Sequence, residues 1–261
     1  MESYSHLARL YDGFMNEVDY IAWAQYVSRL IRRALNMPEN AAFLRPPRLL
    51  ECGCGTGNIT VPLSKLGFDI TASDISDEML AVASEKARSA GLRLSFVRMD
   101  MTELTFHRPL DGIIACCDCV NYLTGEGDAE SFFRSAHSLL KPGGALLFDI
   151  SSKYKLENVL GNNAFTESRE DAAYFWQNNY DEESRLIEMK LEFFTKTNEK
   201  QDGESLYKRS AETHIQRAYS EEALAALLEK TGFSRIECFG DFSLEPPKKD
   251  SERIQFLAVK G

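Results

Sequence analysis

No apolar stretch in this sequence approaches the roughly 20 residues needed to cross a bilayer. The longest runs, Ala145-Leu146-Leu147-Phe148 and Ile113-Ile114-Ala115-Cys116-Cys117, stop far short of that, so the chain is not expected to span or bind a membrane. Glu2, His6 and Arg9 interrupt the N-terminus, which lacks the continuous apolar core of a secretory signal; a cytoplasmic location is the expectation. The six cysteines (Cys52, Cys54, Cys116, Cys117, Cys119 and Cys238) form no CxxC pair and no regular disulfide framework. Reduced thiols fit that spacing, and structural zinc, which prefers CxxC knuckles, does not. Positive charge is also short, with 30 Lys and Arg against 40 Asp and Glu and a net charge of −10. Because affinity for nucleic acid rests on cationic contacts to phosphates, RNA and DNA are disfavoured as partners.

What is present describes an ordinary globular protein, with 44% hydrophobic and 27% charged residues in 261. That length suits one main domain with a modest insertion. Residues 17 to 36 place Val18, Ile21, Trp23, Val27, Leu30, Ile31 and Leu35 at helical spacing, and Pro38 and Pro46-Pro47 then break the pattern. From residue 48, short apolar runs alternate with helical stretches, the form of a parallel sheet with crossover helices. The runs are Arg48 to Cys52, Phe68 to Ser73, Leu94 to Met99, Gly112 to Cys117 and Ala145 to Ile150, with a turn expected at Lys141-Pro142-Gly143-Gly144. Ser76 is placed to cap the helix after the second run, and Gly91 to end it.

After Ser152 the period becomes two: Ile187, Met189, Leu191 and Phe193 alternate with Glu188, Lys190 and Glu192. A partner strand is expected over residues 206 to 219, joined through a hairpin loop from Asn198 to Glu204. A helix capped by Ser220 and two strands, Arg235 to Phe239 and Ile254 to Val259, complete the pattern. The expected fold is α/β, a doubly wound, mostly parallel seven-stranded sheet with an inserted antiparallel β unit. Its divisions are an N-terminal helical lid over residues 1–45, a cofactor-binding domain over 46–151 and 220–261, and an inserted subdomain over 152–219.

Glu51-Cys52-Gly53-Cys54-Gly55-Thr56-Gly57-Asn58 directly follows the first strand. Closely spaced glycines let the backbone turn sharply and approach a ligand, and in open parallel sheets ligands settle at such strand ends. The spacing G-x-G-x-G is not the G-x-G-x-x-G of a dinucleotide fold, which weakens a nicotinamide-dependent oxidoreductase reading. Asp74 ends the second strand, near the distance at which an acid receives ribose hydroxyls, and Asp100 ends the third between Met99 and Met101. Each is unremarkable alone; in order, at three successive strand ends, they define a ligand site.

On these motifs, residues 48 to 150 resemble the class I S-adenosylmethionine-dependent methyltransferases, and most closely bacterial small-molecule-type members with an N-terminal helical lid. The resemblance implies that Glu51, Gly53, Cys54, Gly55, Thr56, Gly57 and Asn58 hold the methionine moiety of S-adenosylmethionine and that Asp74 binds its ribose. Ile75 and Met79 would flank the adenine, with Asp100 and Met101 at its edge. The loop Cys117-Asp118-Cys119-Val120-Asn121-Tyr122 would border the methyl, with Cys117 and Tyr122 as cofactor contacts. Tyr11, in the expected lid, is a further contact; packing of that segment against the core is the alternative.

Asp118 either orients an acceptor, faces the cationic cofactor or is a turn residue. Its loop is not Asn-Pro-Pro-Tyr, which argues against amide and exocyclic-amine methylation of protein or nucleic acid, and the absence of Pro-Cys argues against covalent attack on a pyrimidine. Near Tyr219, Glu212, His214 and Gln216 share one strand face. His214, with an ordinary pKa near ~6.5, is the candidate base; a merely solvated polar face is the other reading. The expected function is methyl transfer to an unidentified small molecule by a monomer or homodimer. An RNA-modifying enzyme using Arg29, Arg32 and Arg33 as a basic face, and a non-catalytic S-adenosylmethionine-binding module, are the alternatives.

Overall fold

In the computed structural model, residues 18–39, 42–201 and 204–261 are described. Helix α1 (Tyr20–Ala34) starts where the Asp19 carboxylate accepts the Ala22 N–H. The sheet follows with β1 (Arg48–Cys52), α2 (Thr60–Lys65), β2 (Asp69–Asp74), α3 (Asp77–Ser89), β3 (Ser95–Arg98) and β4 (Leu110–Ala115). Helix α4 (Asp128–Leu139) leads into β5 (Leu140–Ser151). Ser76 caps α3 as expected, its hydroxyl accepting the Met79 N–H.

Helix α5 (Glu221–Lys230) and strands β10 (Phe233–Gly240) and β11 (Arg253–Lys260) close a seven-stranded sheet of order β10-β11-β5-β4-β1-β2-β3. Strands β1 to β5 are parallel, and β11 runs antiparallel between β5 and β10. Alternating side chains serve the two faces. Leu49, Ile114, Leu147 and Leu257 pack with Val27, Leu30 and Ile31 of α1, whereas Leu50, Ile113, Phe148 and Phe256 pack with Phe132 and Phe133 of α4 and Leu224 and Leu228 of α5. Order reverses between β1 and β4, so the turns leaving these two strands flank the crevice where such sheets bind ligands.

Between β5 and α5 stands a separate antiparallel sheet of order β6 (Ala164–Ser168), β7 (Ala172–Asp181), β8 (Leu186–Gln201), β9 (Glu204–Arg217). The sequence pattern shows only the last two strands, because β6 and β7 carry aromatic and amide residues rather than an aliphatic alternation. The expected loop from Asn198 to Glu204 is mostly strand, with β8 running to Gln201. Strand β5 also begins earlier than its apolar run: Leu140 pairs with Leu110 and Ala145 with Gly112, so Lys141 to Gly144 form a bulge inside the strand. No helix among the described residues is long and apolar enough to cross a membrane.

Candidate active site

A cavity of about 360 Å³ opens at the carboxyl ends of the parallel strands. The turn after β1 contributes Glu51, Gly53, Cys54, Gly55, Thr56 and Asn58; the next contributes Asp74, Ile75 and Met79. Met99, Asp100, Met101 and Thr102 follow β3, and Cys116, Cys117, Cys119 and Tyr122 follow β4. Gly53 and Gly55 have φ of +65° and +52°, a region that side chains resist. A Cβ on Gly53 would lie 2.9 Å from Cys119 Cβ, so the turns leaving β1 and β4 meet without room for a methyl group. Gly57 does not line the cavity: a Cβ there would lie 3.1 Å from Ala83 Cβ, and its role is to seat the turn on α3.

The acids are held in place by the backbone. Asp74 accepts the Gly55 N–H (2.8 Å) and the Ser76 N–H (3.0 Å), which ties the first two turns together. Burial raises its pKa while those bonds act in the other direction. Glu51, 2% exposed, accepts the Thr60 hydroxyl at 2.6 Å. Burial pushes its carboxyl up to about 8, the Thr60 bond opposing and the nearby Asp74 adding to the rise. A carboxyl so placed favours a cationic partner. Asp100 accepts the N–H and hydroxyl of Thr102, each at 2.8 Å, and caps the short turn Met101–Glu103.

The turn after β4 has two successive left-handed residues, Cys117 (φ 61°) and Asp118 (φ 51°). Non-glycine residues hold this conformation only where their surroundings impose it. Here the imposing group is Asp149 at the end of β5, whose carboxylate accepts the Cys117 N–H (2.8 Å) and the Asp118 N–H (3.0 Å). Arg253 of β11 binds Asp118 through both terminal nitrogens at 3.0 Å and also binds Asp149, while Gln216 of β9 donates to Asp118 at 2.7 Å. Burial works against the Asp118 charge, yet Arg253 holds its carboxyl below the ordinary value. Asp118 therefore belongs to a buried ion cluster behind the cavity and does not line it.

His214 does not line the cavity either, but Tyr122 does, and its hydroxyl lies 3.2 Å from His214 Nδ1. Glu212 Oε2 lies 3.3 Å from His214 Nε2. Glu212, His214 and Gln216 are all buried, with His214 at 4% exposure, so the polar face of β9 is turned into the molecule rather than solvated. Tyr11 lies outside the described residues. The cavity also includes Tyr20, Thr124, Asp128 and Ile215, which no local motif marks. The three arginines of α1 are engaged within the protein: Arg29 with Glu39, Arg33 with Glu237, and Arg32 with Pro38 O and the Phe43 ring.

Comparison with known proteins agrees with this geometry. The family described as "Methyltransferase domain" matches residues 49–144. A Geobacillus sp. protein named as a methyltransferase is 34% identical over 99% of this chain and 100% of its own length. A solved S-adenosylmethionine-dependent methyltransferase from Clostridium acetobutylicum is 32% identical, with a TM-score of 0.85 over 99% of each chain. A more distant structure, the S-adenosylmethionine-bound amino pentose methyltransferase CalS10 from Micromonospora echinaspora, shares the fold at 18% identity and a TM-score of 0.72 over 97% of each chain. The chain belongs to the class I S-adenosylmethionine-dependent methyltransferases. Its cofactor is S-adenosylmethionine, and the site fits that molecule: the turn at Gly55 is open to the cavity, and a buried carboxyl at Glu51 suits an ammonium group.

Proposed function

We propose that this methyltransferase acts on a small molecule held between the parallel-sheet core and the inserted sheet, and that Tyr122, His214 and Glu212 carry the acceptor's proton away from the cavity. Residues 46–151 and 220–261 serve as the cofactor domain and residues 152–219 as the acceptor-side unit, while α1 backs the parallel sheet. Glu51 pairs with the cofactor's ammonium, Asp74 receives its ribose hydroxyls, Ile75 and Met79 flank the adenine, and Asp100 and Met101 meet its edge. Bound S-adenosylmethionine supplies an electrophilic methyl carbon on a sulfonium, so the remaining work of the protein is alignment and proton removal.

One observation carries this reading: Tyr122, in the turn after β4, lines the cavity and its hydroxyl lies 3.2 Å from His214 Nδ1 on the inserted sheet's buried polar face. With Glu212 Oε2 3.3 Å from Nε2, a neutral imidazole with its proton on Nε2 would present Nδ1 as the acceptor. Tyr122 can then pass its hydroxyl proton to Nδ1 while taking one from the acceptor, and Glu212 stabilises the imidazolium that forms. His214→Ala should lower turnover by about 100-fold or more, the scale of general-base catalysis, with cofactor affinity unchanged. Full retained turnover would reduce His214 to a packing residue. The engagement of Arg29, Arg32 and Arg33 within the protein favours a small acceptor over RNA.

A further inference from the structure

Among the described residues, four carboxylates line the cavity, Glu51, Asp74, Asp100 and Asp128, and no lysine, arginine or histidine does. Three cations stand behind its wall, each held by protein partners. Lys86 donates to Thr56 Oγ1 at 3.2 Å and to Asn58; Arg217 donates to the Thr124 carbonyl at 3.2 Å and the Ser184 carbonyl at 3.1 Å. Arg253 is bound by Asp118 and Asp149. S-adenosylmethionine brings one net positive charge, from a carboxylate, an ammonium and a sulfonium. Counted over the described residues, the loaded cavity therefore stays negative. Three of its acids have cofactor roles in the reading above, and Asp128 has none. One Asp128 oxygen accepts the Gly125 N–H at 2.7 Å, and a carboxylate retains further acceptor sites. Around it the cavity is bounded by Leu123, Thr124, Tyr122 and Ile215, an apolar body with two hydroxyls.

We infer that the acceptor is a small amine that enters as its ammonium ion, and that Asp128 selects for its charge; the inference rests on the methyl-transfer reading of this cavity. An anionic acceptor would meet uncompensated carboxylates, and among the described residues nothing lining the cavity offers a carboxylate or phosphate a countercharge. An ammonium has no lone pair, so it must lose a proton before it can attack. The chain from Tyr122 to His214 supplies that step: one ammonium proton passes to the Tyr122 oxygen as the hydroxyl proton moves to His214 Nδ1. The freed nitrogen pair then forms the N–C bond to the methyl as the S–C bond breaks, and its electron pair stays on sulfur. The product leaves as a methylated ammonium with S-adenosylhomocysteine.

The test uses the full chain saturated with S-adenosylhomocysteine and three probes of one shape: cyclohexylamine, cyclohexanol and cyclohexanecarboxylate. Affinities near neutral pH, read by ligand-observed NMR, should fall in that order, with the amine at least about tenfold tighter than the carboxylate. Asp128→Asn should shrink that ratio several-fold without changing the affinity for S-adenosylhomocysteine. Equal affinities, the reverse order, no binding of any probe, or an unchanged ratio in Asp128→Asn would overturn the inference. Prior calorimetry with S-adenosylhomocysteine separates the two failures: no binding there defeats the assignment of the cavity, whereas a bound cofactor with the wrong probe order defeats only the amine.

Discussion

At the scale of single residues, Glu51 and Asp74 determine how the cofactor is held. With its pKa pushed up to about 8 in the ligand-free protein, Glu51 carries a proton near neutrality, whereas an ammonium partner requires the carboxylate. Binding should thus release a proton, so cofactor affinity should climb as pH rises toward about 8. The slope is at most about tenfold per pH unit. Calorimetry in buffers of different ionisation enthalpy measures the released proton directly, and Glu51→Gln should abolish it. Asp74→Ala should weaken cofactor binding by about 1 to 3 kcal/mol, the scale of a lost charged hydrogen-bond partner, because it also frees the Gly55 and Ser76 amides that shape both turns. Unchanged affinity by calorimetry would take Asp74 out of the site.

At the scale of elements, the β4 turn depends on contacts far along the chain. Removing the guanidinium with Arg253→Met would leave Asp118 and Asp149 as buried, uncompensated carboxylates. The expected loss is about 3 to 5 kcal/mol in denaturant unfolding, the range seen when one member of a buried ion pair is deleted. The same distance explains what the sequence could and could not show. Strands β1 to β4 and the caps at Ser76 and Ser220 are local patterns, and local patterns can be read. Asp118 was open to an acceptor role because its partners lie 98 and 135 residues away, beyond any periodicity. Strands β6 and β7 are hidden for another reason: Tyr174, Trp176, Asn178 and Tyr180 point to one face, but Phe175 puts an aromatic on the other and Gln177-Asn178-Asn179 interrupts the run, so no clean apolar alternation marks the strand. The link from His214 to the cavity was equally hidden, since only folding brings Tyr122 beside it.

At the scale of the whole molecule, a ligand that binds only the folded chain stabilises all of it. S-adenosylhomocysteine at about 100 times its Kd should add about 2.7 kcal/mol and raise Tm by roughly 5 to 10 °C for a chain of this size, a shift that scanning calorimetry resolves easily. The same excess of NADH should leave Tm unchanged. The inserted sheet joins the core through the buried Asn121 side chain, which donates to the Ser151 carbonyl (3.1 Å) where the chain leaves β5 and to the Arg217 carbonyl (2.9 Å) where it returns from β9. Its amide oxygen accepts the Ser151 N–H at 3.0 Å. Exit and return thus lie within the reach of one amide. A segment grafted between them need only start and finish at that fixed pair of carbonyls, so strands β6 to β8 can change in length and content for a new acceptor while β9 keeps Glu212, His214 and Gln216 and the parallel sheet keeps its register.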